Sequence, residues 1–265
     1  MKRIGIPPHV FARPLFDGLK ARARPGVFEL VESPDSGTAS LAIQLRQAQL
    51  HGAFLSAIDY AKDYSSWSIL PGVGVVSEGE SRAALLLFKE RARKIATIAV
   101  DPGSSSEIVL AHLVLTEKFD IVPKIVPFSG PADQALEKAD AVLCSGNAAY
   151  EARHRKNTID LVDEWKDITE LPFVHGFWVT REDALTPSEV TDLVQGSREG
   201  IMKLDGSRYD LDYLGRFLHD LTDQALSALG EFYRMAFYHG ILKDIPEVKL
   251  HQPVSDPPSP GPSLN

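Results

Sequence analysis

The residues able to do chemistry are small hydroxyls grouped at three places and eight histidines spread along the chain. Leu55-Ser56-Ala57-Ile58-Asp59 closes an apolar run with a serine that is followed three residues later by an acid. Asp101-Pro102-Gly103-Ser104-Ser105-Ser106-Glu107 repeats the design with three serines, and Ser145-Gly146-Asn147-Ala148 supplies a third version. A serine at such a junction caps a helix that begins just after a strand, with Ser104 as the cap and Glu107 completing a capping box. The same arrangement leaves unpaired N–H groups and the positive end of a helix dipole free for a small anion. Both uses stay open, because ordinary caps have this composition and the acids compete for the same dipole.

Other constellations are sparse. His9, His51, His112, His154, His175, His219, His239 and His251 form no pair with zinc-ligand spacing, so no metal site is expected. No phosphate-binding glycine loop is present, since Pro102-Gly103-Ser104 lacks the lysine and the second glycine, and no nucleophile elbow occurs. His175 interrupts the apolar run 173–178 and reads either as a satisfied buried histidine or as an acid/base group between lobes. Arg13, before Pro14-Leu15, reads either as a carboxylate clamp or as an exposed cation. Trp165 reads either as packing or as a ring for ligand stacking.

The elements that must position these groups alternate. Short apolar runs at 3–6, 28–31, 53–56, 68–76, 84–88, 95–100, 141–144 and 172–179 read as strands. Helical spacing appears at 40–50, at 107–119 and across 211–242, the last as one or two helices. Thr186-Pro187-Ser188-Glu189 is a helix start with a cap, a first-turn proline and a capping glutamate. Strands alternating with helices predict an α/β fold with parallel sheets. The proline-rich tail 254–265 is a poor candidate for packing.

With 28 Lys and Arg against 36 Asp and Glu in 265 residues, the net charge of −8 opposes nucleic-acid binding and coating of an anionic membrane. No apolar run reaches the roughly 18 residues of a membrane span. The single cysteine, Cys144, excludes an internal disulfide. After Met1-Lys2-Arg3 no secretory apolar segment follows, so a cytoplasmic protein is expected.

Taken in order, several landmarks carry a resemblance. They are Arg13-Pro14-Leu15, the run Ala53 to Tyr60, Ile69-Leu70-Pro71-Gly72, and Val75-Val76-Ser77-Glu78-Gly79. The turn from Val100-Asp101 to Ser106, Gly146-Asn147-Ala148, Asp163-Glu164-Trp165 and Leu171-Pro172-Phe173-Val174 complete them. Their order and spacing resemble the chorismate dehydratase family of the futalosine menaquinone pathway, from about residue 3 to 242. The resemblance implies a two-lobed type II periplasmic-binding-protein-like fold with a hinge and a central cleft. Lobe 1 would be 1–89 with 179–253, lobe 2 would be 90–178, and the hinge segments would be 84–94 and 173–180. It also implies a lyase that removes water from chorismate, giving an enolpyruvyl-substituted benzoate, with no cofactor.

The departures from the family pattern fall on polar positions. Phe11 stands where an Asn is expected, Ser56-Ala57 replaces a serine pair, and Ala83-Ala84 replaces a serine. Ser104-Ser105-Ser106-Glu107 lacks the family's Arg, Gly146-Asn147 replaces Gly-Asp, and His175 replaces a Phe. By resemblance the cleft is lined by Phe11, Arg13, Ser56, Ala57, Ala83, Ala84, Ser104, Ser105, Ser106, Gly146 and Asn147, with His9 and His175 as acid/base candidates. The expected ligand is chorismate or a similar small cyclic carboxylate. A non-catalytic small-anion binding protein on the same fold, cytosolic or exported, is the alternative.

Overall fold

Central strands buried on both faces, flanked by partly exposed edge strands, build two sheets, and the computed structural model describes residues 1–22, 27–34, 36–89 and 94–251. The tail expected to stay unpacked, 254–265, lies outside the described residues, as do residues 90–93 of one expected hinge segment. The chain begins with β1 (Lys2–Ile6), α1 (Arg13–Arg22), β2 (Phe28–Glu32), α2 (Ala39–Arg46), β3 (Gly52–Leu55), α3 (Ala57–Ala61) and β4 (Trp67–Ser77). It continues through β5 (Ala84–Phe88), β6 (Thr97–Val100), α4 (Ser105–Phe119), β7 (Lys124–Pro127), α5 (Ala132–Lys138), β8 (Ala141–Ser145), α6 (Gly146–Ala152), β9 (Thr158–Asp160) and α7 (Leu161–Thr169). It closes with β10 (Phe173–Arg181), α8 (Pro187–Met202), α9 (Leu211–Leu214) and α10 (Asp223–Tyr238).

The first sheet runs β2-β1-β3-β10-β4 and the second β7-β6-β8-β5-β9. Each has a parallel core and one antiparallel insertion: β10 runs against β3 and β4, and β5 runs against β8 and β9. All residues of β3 and β8 are buried, as expected where helices cover both faces of parallel strands. Edge-on rings of Phe16, Phe54 and Trp178, 5.4 to 5.6 Å apart, fill the first lobe beneath α1 and α8.

Sheet membership moves the lobe borders from those expected. β5, expected within 1–89 of lobe 1, is an interior strand of the second sheet, and 173–178, expected in lobe 2, belongs to the first sheet with the rest of β10. The crossings therefore run through 78–83 and 170–172, earlier than the expected hinges 84–94 and 173–180. An apolar strand beside a crossing carries no local mark of which sheet it joins, so periodicity alone misplaces it.

The helix start at Thr186 forms as expected: its hydroxyl accepts from the Glu189 N–H and the Glu189 carboxylate accepts from the Thr186 N–H, with Pro187 in the first turn. The expected box at Ser104 does not form. Ser104 makes no side-chain cap, and its hydroxyl meets that of Ser145 at the end of the neighbouring strand. The stretch 211–242 divides into α9 and α10, and the turn between them adds a short antiparallel pairing of Leu218 with Val76 of β4.

Candidate functional site

Four carboxyl ends of parallel strands face one another between the lobes, the usual ligand position in open α/β sheets. β1 leads to His9, β3 to Ser56, β6 to Ser104, and β8 ends on Ser145. The lobes are closed on each other. The Asn147 side chain accepts from the Val10 N–H at 3.0 Å and donates to the Pro8 carbonyl at 2.7 Å. The Ile58 N–H donates to the Ser106 hydroxyl at 2.9 Å, and Lys62 reaches Ser105 at 3.3 Å. Gly37 meets Gly103 backbone to backbone, so that a Cβ on Gly37 would sit 1.9 Å from the Gly103 carbonyl oxygen. Gly146 has φ +52° and lies under the His9 ring, where a Cβ would be 2.7 Å from Cδ2; only glycine meets both conditions without strain.

Rings occupy the space behind these latches. Phe11 lies 4.8 Å from His9, 5.3 Å from His175 and 5.3 Å from Phe217, centroid to centroid. Phe173 and Phe217 also pack on His175, and Tyr213 packs on Phe217 at 5.1 Å. His175 owes its direction to a bulge. Pairing with β4 slips between Val174 and Gly176, leaving His175 as the extra residue on its strand.

The two histidines are buried without a compensating charge. His9 Nε2 lies 2.8 Å from the Ser36 carbonyl oxygen, which has no proton to give, so Nε2 donates and Nδ1 keeps its lone pair. Burial lowers the His9 imidazole to about 4, partly opposed by that hydrogen bond. His175 pairs with the Ser77 hydroxyl at 2.9 Å; burial, then His9, lowers it to about 3. Both are neutral at neutral pH. His175 Nδ1 and the Tyr213 hydroxyl are buried without a hydrogen-bond partner.

An acidic pair crosses the lobe interface beside the Ile58–Ser106 bond. Asp59 accepts from Thr38, Ser56 and Lys62. Glu107, one residue past Ser106, is raised to about 7 by burial, its own backbone N–H opposing and Asp59 adding to the rise. A carboxyl raised on folding from 4.5 binds its proton more tightly in the native state, so stability falls as pH rises from 4.5 to about 7. The loss is complete above that window and on the order of 3 kcal/mol. Glu107→Gln is therefore expected to exceed the wild type in stability by roughly that amount at pH 8. The two should converge near pH 4. Urea unfolding at both pH values measures this, and an equal offset at both would refute it.

The structure brings together most of the expected lining. His9, Phe11, Ser56, Ala57, Ala83, Ala84, Ser104, Ser106, Gly146 and His175 are buried at the interlobe face or just behind it. Ser105 and Asn147 are half-buried, and Asn147 spends its amide on the latch. Arg13 does not join them. Its side chain is 69% exposed on α1 and pairs with Asp17 one turn on, so it clamps nothing in the cleft. Trp165 is buried and donates to the Pro172 carbonyl, a packing role. Tyr213 carried no functional signal in the sequence, and the roles of three others were not legible: Phe217 has the spacing of a helix core position, Ser77 lies in the landmark 75–79, and Asp59 is the acid of the Ser56 junction. Among the described residues no group of three or more His, Cys, Asp or Glu converges as a metal-binding set, and no helix is long and apolar enough to cross a membrane.

Two α/β lobes joined by two crossing segments define a type II periplasmic-binding-protein-like fold. Solved structures agree. Protein AF1704 from Archaeoglobus fulgidus is similar with TM-score 0.67 and 20% identity over 91% of this chain and 98% of that one. The Candida albicans CA3427 gene product, described as exhibiting the generic periplasmic binding protein fold, gives 0.63 and 14% over 97% and 99%. The alkanesulfonate-binding protein SsuA from Xanthomonas axonopodis pv. citri, bound to MOPS, gives 0.61 and 16% over 94% and 95%. At these identities the likeness is one of fold. The family model described as menaquinone biosynthesis matches residues 2–203, and the chain belongs to that family.

Proposed function

We propose that the chain binds a small cyclic carboxylate between its lobes and removes water from it, with chorismate as substrate and an enolpyruvyl-substituted benzoate as product. The observation that carries the reading is the neutral, buried His9 imidazole, its tautomer fixed by Ser36 and its ring 4.8 Å from that of Phe11, in a chain of the menaquinone-biosynthesis family. Nδ1 of His9 accepts a proton from a ring carbon, and the electron pair of that C–H bond enters the ring. The His9 imidazolium returns that proton to the ring hydroxyl, which leaves as water, so one hydrogen and one hydroxyl depart, the ring becomes aromatic and the imidazole is again neutral.

The substrate itself tunes the base. A carboxylate entering beside an imidazole held at about 4 favours its charged form and raises its proton affinity towards that of an effective base. The first N–H groups of α4, at Ser105 and Ser106, offer the carboxylate a seat. Phe11 and Phe217 supply ring surface, and lobe closure excludes water from the reacting bond. A fold neighbour's small sulfonate ligand is of related chemistry. Incubating the full chain with chorismate and separating the products by chromatography tests the reading. The expected result is consumption of chorismate with appearance of the dehydrated benzoate. Chorismate that stabilises the protein yet is recovered intact would make it a binding protein and overturn the proposal.

A further inference from the structure

We infer that Tyr213 is a specificity-determining residue of the interlobe site, its phenol O–H donating to a ring-bound oxygen of the ligand. The inference rests on the ring-carboxylate reading above but concerns a residue outside the stretch matched by the family model, which ends at 203.

Tyr213 sits on α9, in a segment that fastens to both lobes. Asp210 caps α9, accepting from the Tyr213 N–H at 3.0 Å, and its other oxygen accepts from the Tyr150 hydroxyl of α6 at 3.0 Å. Arg153, stacked 3.7 Å over the Tyr150 ring, approaches the same Asp210 oxygen at 3.4 Å. At the other end Leu218 exchanges both backbone hydrogen bonds with Val76 of β4. Between these anchors the Tyr213 ring is wedged 4.7 Å from Tyr150 of the second lobe and 5.1 Å from Phe217 of the first. The segment thus bridges the closed lobes and carries Tyr213 to the aromatic cluster around His175.

The hydroxyl is the informative atom. Tyr213 is 3% exposed, and its oxygen makes no hydrogen bond. A buried hydroxyl without a partner carries its full desolvation penalty, so phenylalanine serves better where only a ring is needed. Among the described residues the other buried polar atoms without hydrogen bonds are Thr116 Oγ1, Glu164 Oε2 and His175 Nδ1. Glu164 is ion-paired with Lys118, and Thr116 lies on α4. Only His175 and Tyr213 belong to one cluster, each packed edge-on with Phe217, at 5.4 and 5.1 Å. Burial, with Asp160 adding, keeps the phenol above its usual range and hence protonated as a donor. A donor and an imidazole nitrogen beside stacked rings suit a six-membered ring bearing an oxygen substituent, and a site built to hydrogen-bond such an oxygen rejects analogues lacking it.

Tyr213→Phe, with chorismate, 3-hydroxybenzoate and benzoate as probes, tests this by thermal shift and calorimetry on the full chain. The ligand-free variant is expected to melt at or above the wild-type midpoint. Its affinity for chorismate and 3-hydroxybenzoate should fall at least about tenfold while that for benzoate holds. A lower ligand-free midpoint would give the hydroxyl a structural partner, and unchanged affinity for all three acids would remove its recognition role; either overturns the inference. Chorismate bound more weakly by the variant but never turned over by the wild type would refute the dehydration and leave Tyr213 standing. Equal KM and kcat for chorismate in both proteins would do the reverse. Absence of binding by any of the three acids to the wild type would refute both.

Discussion

Replacing Gly37 by alanine is expected to lower chorismate turnover by at least about a hundredfold while both lobes remain folded. The added Cβ would lie 1.9 Å from the Gly103 carbonyl oxygen and 2.5 Å from its carbon. Both obstacles are backbone, so no side chain can swing aside, and the loops must separate. Gly37 lies in the loop between β2 and α2 of the first lobe and Gly103 in the loop between β6 and α4 of the second, outside either sheet. The clash therefore acts on closure rather than on either sheet. It also displaces Ser36, whose carbonyl fixes the His9 tautomer. Small-angle scattering should report a larger particle than the wild type, and far-ultraviolet circular dichroism should be unchanged. Wild-type turnover in Gly37→Ala would show that closure through this contact is not needed.

His9→Gln is expected to reduce turnover by about two to four orders of magnitude, the usual contribution of a positioned base, with far smaller change in substrate affinity. Glutamine can still donate to the Ser36 carbonyl but has no basic nitrogen. The substitution has a second signature in stability. Burial lowers His9 from 6.5 to about 4, so the unfolded chain binds more protons between those values and wild-type stability rises with pH across that window. Below about pH 4 the full difference, on the order of 3 kcal/mol, has been lost. His9→Gln removes this component, and its stability should fall less steeply than the wild type's from pH 6.5 to 4. In the free enzyme the acid limb of kcat/KM should lie near pH 4 rather than 6.5. Full turnover by His9→Gln would assign the proton transfer to another group.

Strands were legible where burial is two-sided. β3 and β8 read as uninterrupted apolar runs because both faces are covered, whereas β7 and β9, short and half-buried at sheet edges, carry no such run. The serines at 56, 104 and 145 lie at or just after strand ends as read, since small hydroxyls at a strand-to-helix junction are local features. Their partners were not legible. Ser104 turns to Ser145 instead of capping α4, and Ser106 serves the opposite lobe, through contacts 41 and 48 residues away in sequence. Arg13 shows the reverse error: its position after β1 suggested the cleft, yet the phase of α1 turns it to solvent and Asp17. Tyr213 has the spacing of a core residue, and only its unbonded hydroxyl distinguishes it. Helical periodicity reports which face is buried, not which buried oxygen lacks a partner.

The most direct measurement follows chorismate by mass spectrometry in parallel incubations with the wild type and His9→Gln at neutral pH. The predicted result is loss of one water from chorismate with the wild type and a rate at least about a hundredfold lower with the variant. Chorismate left intact by both proteins, or dehydrated equally by both, would contradict an interlobe dehydratase built on His9.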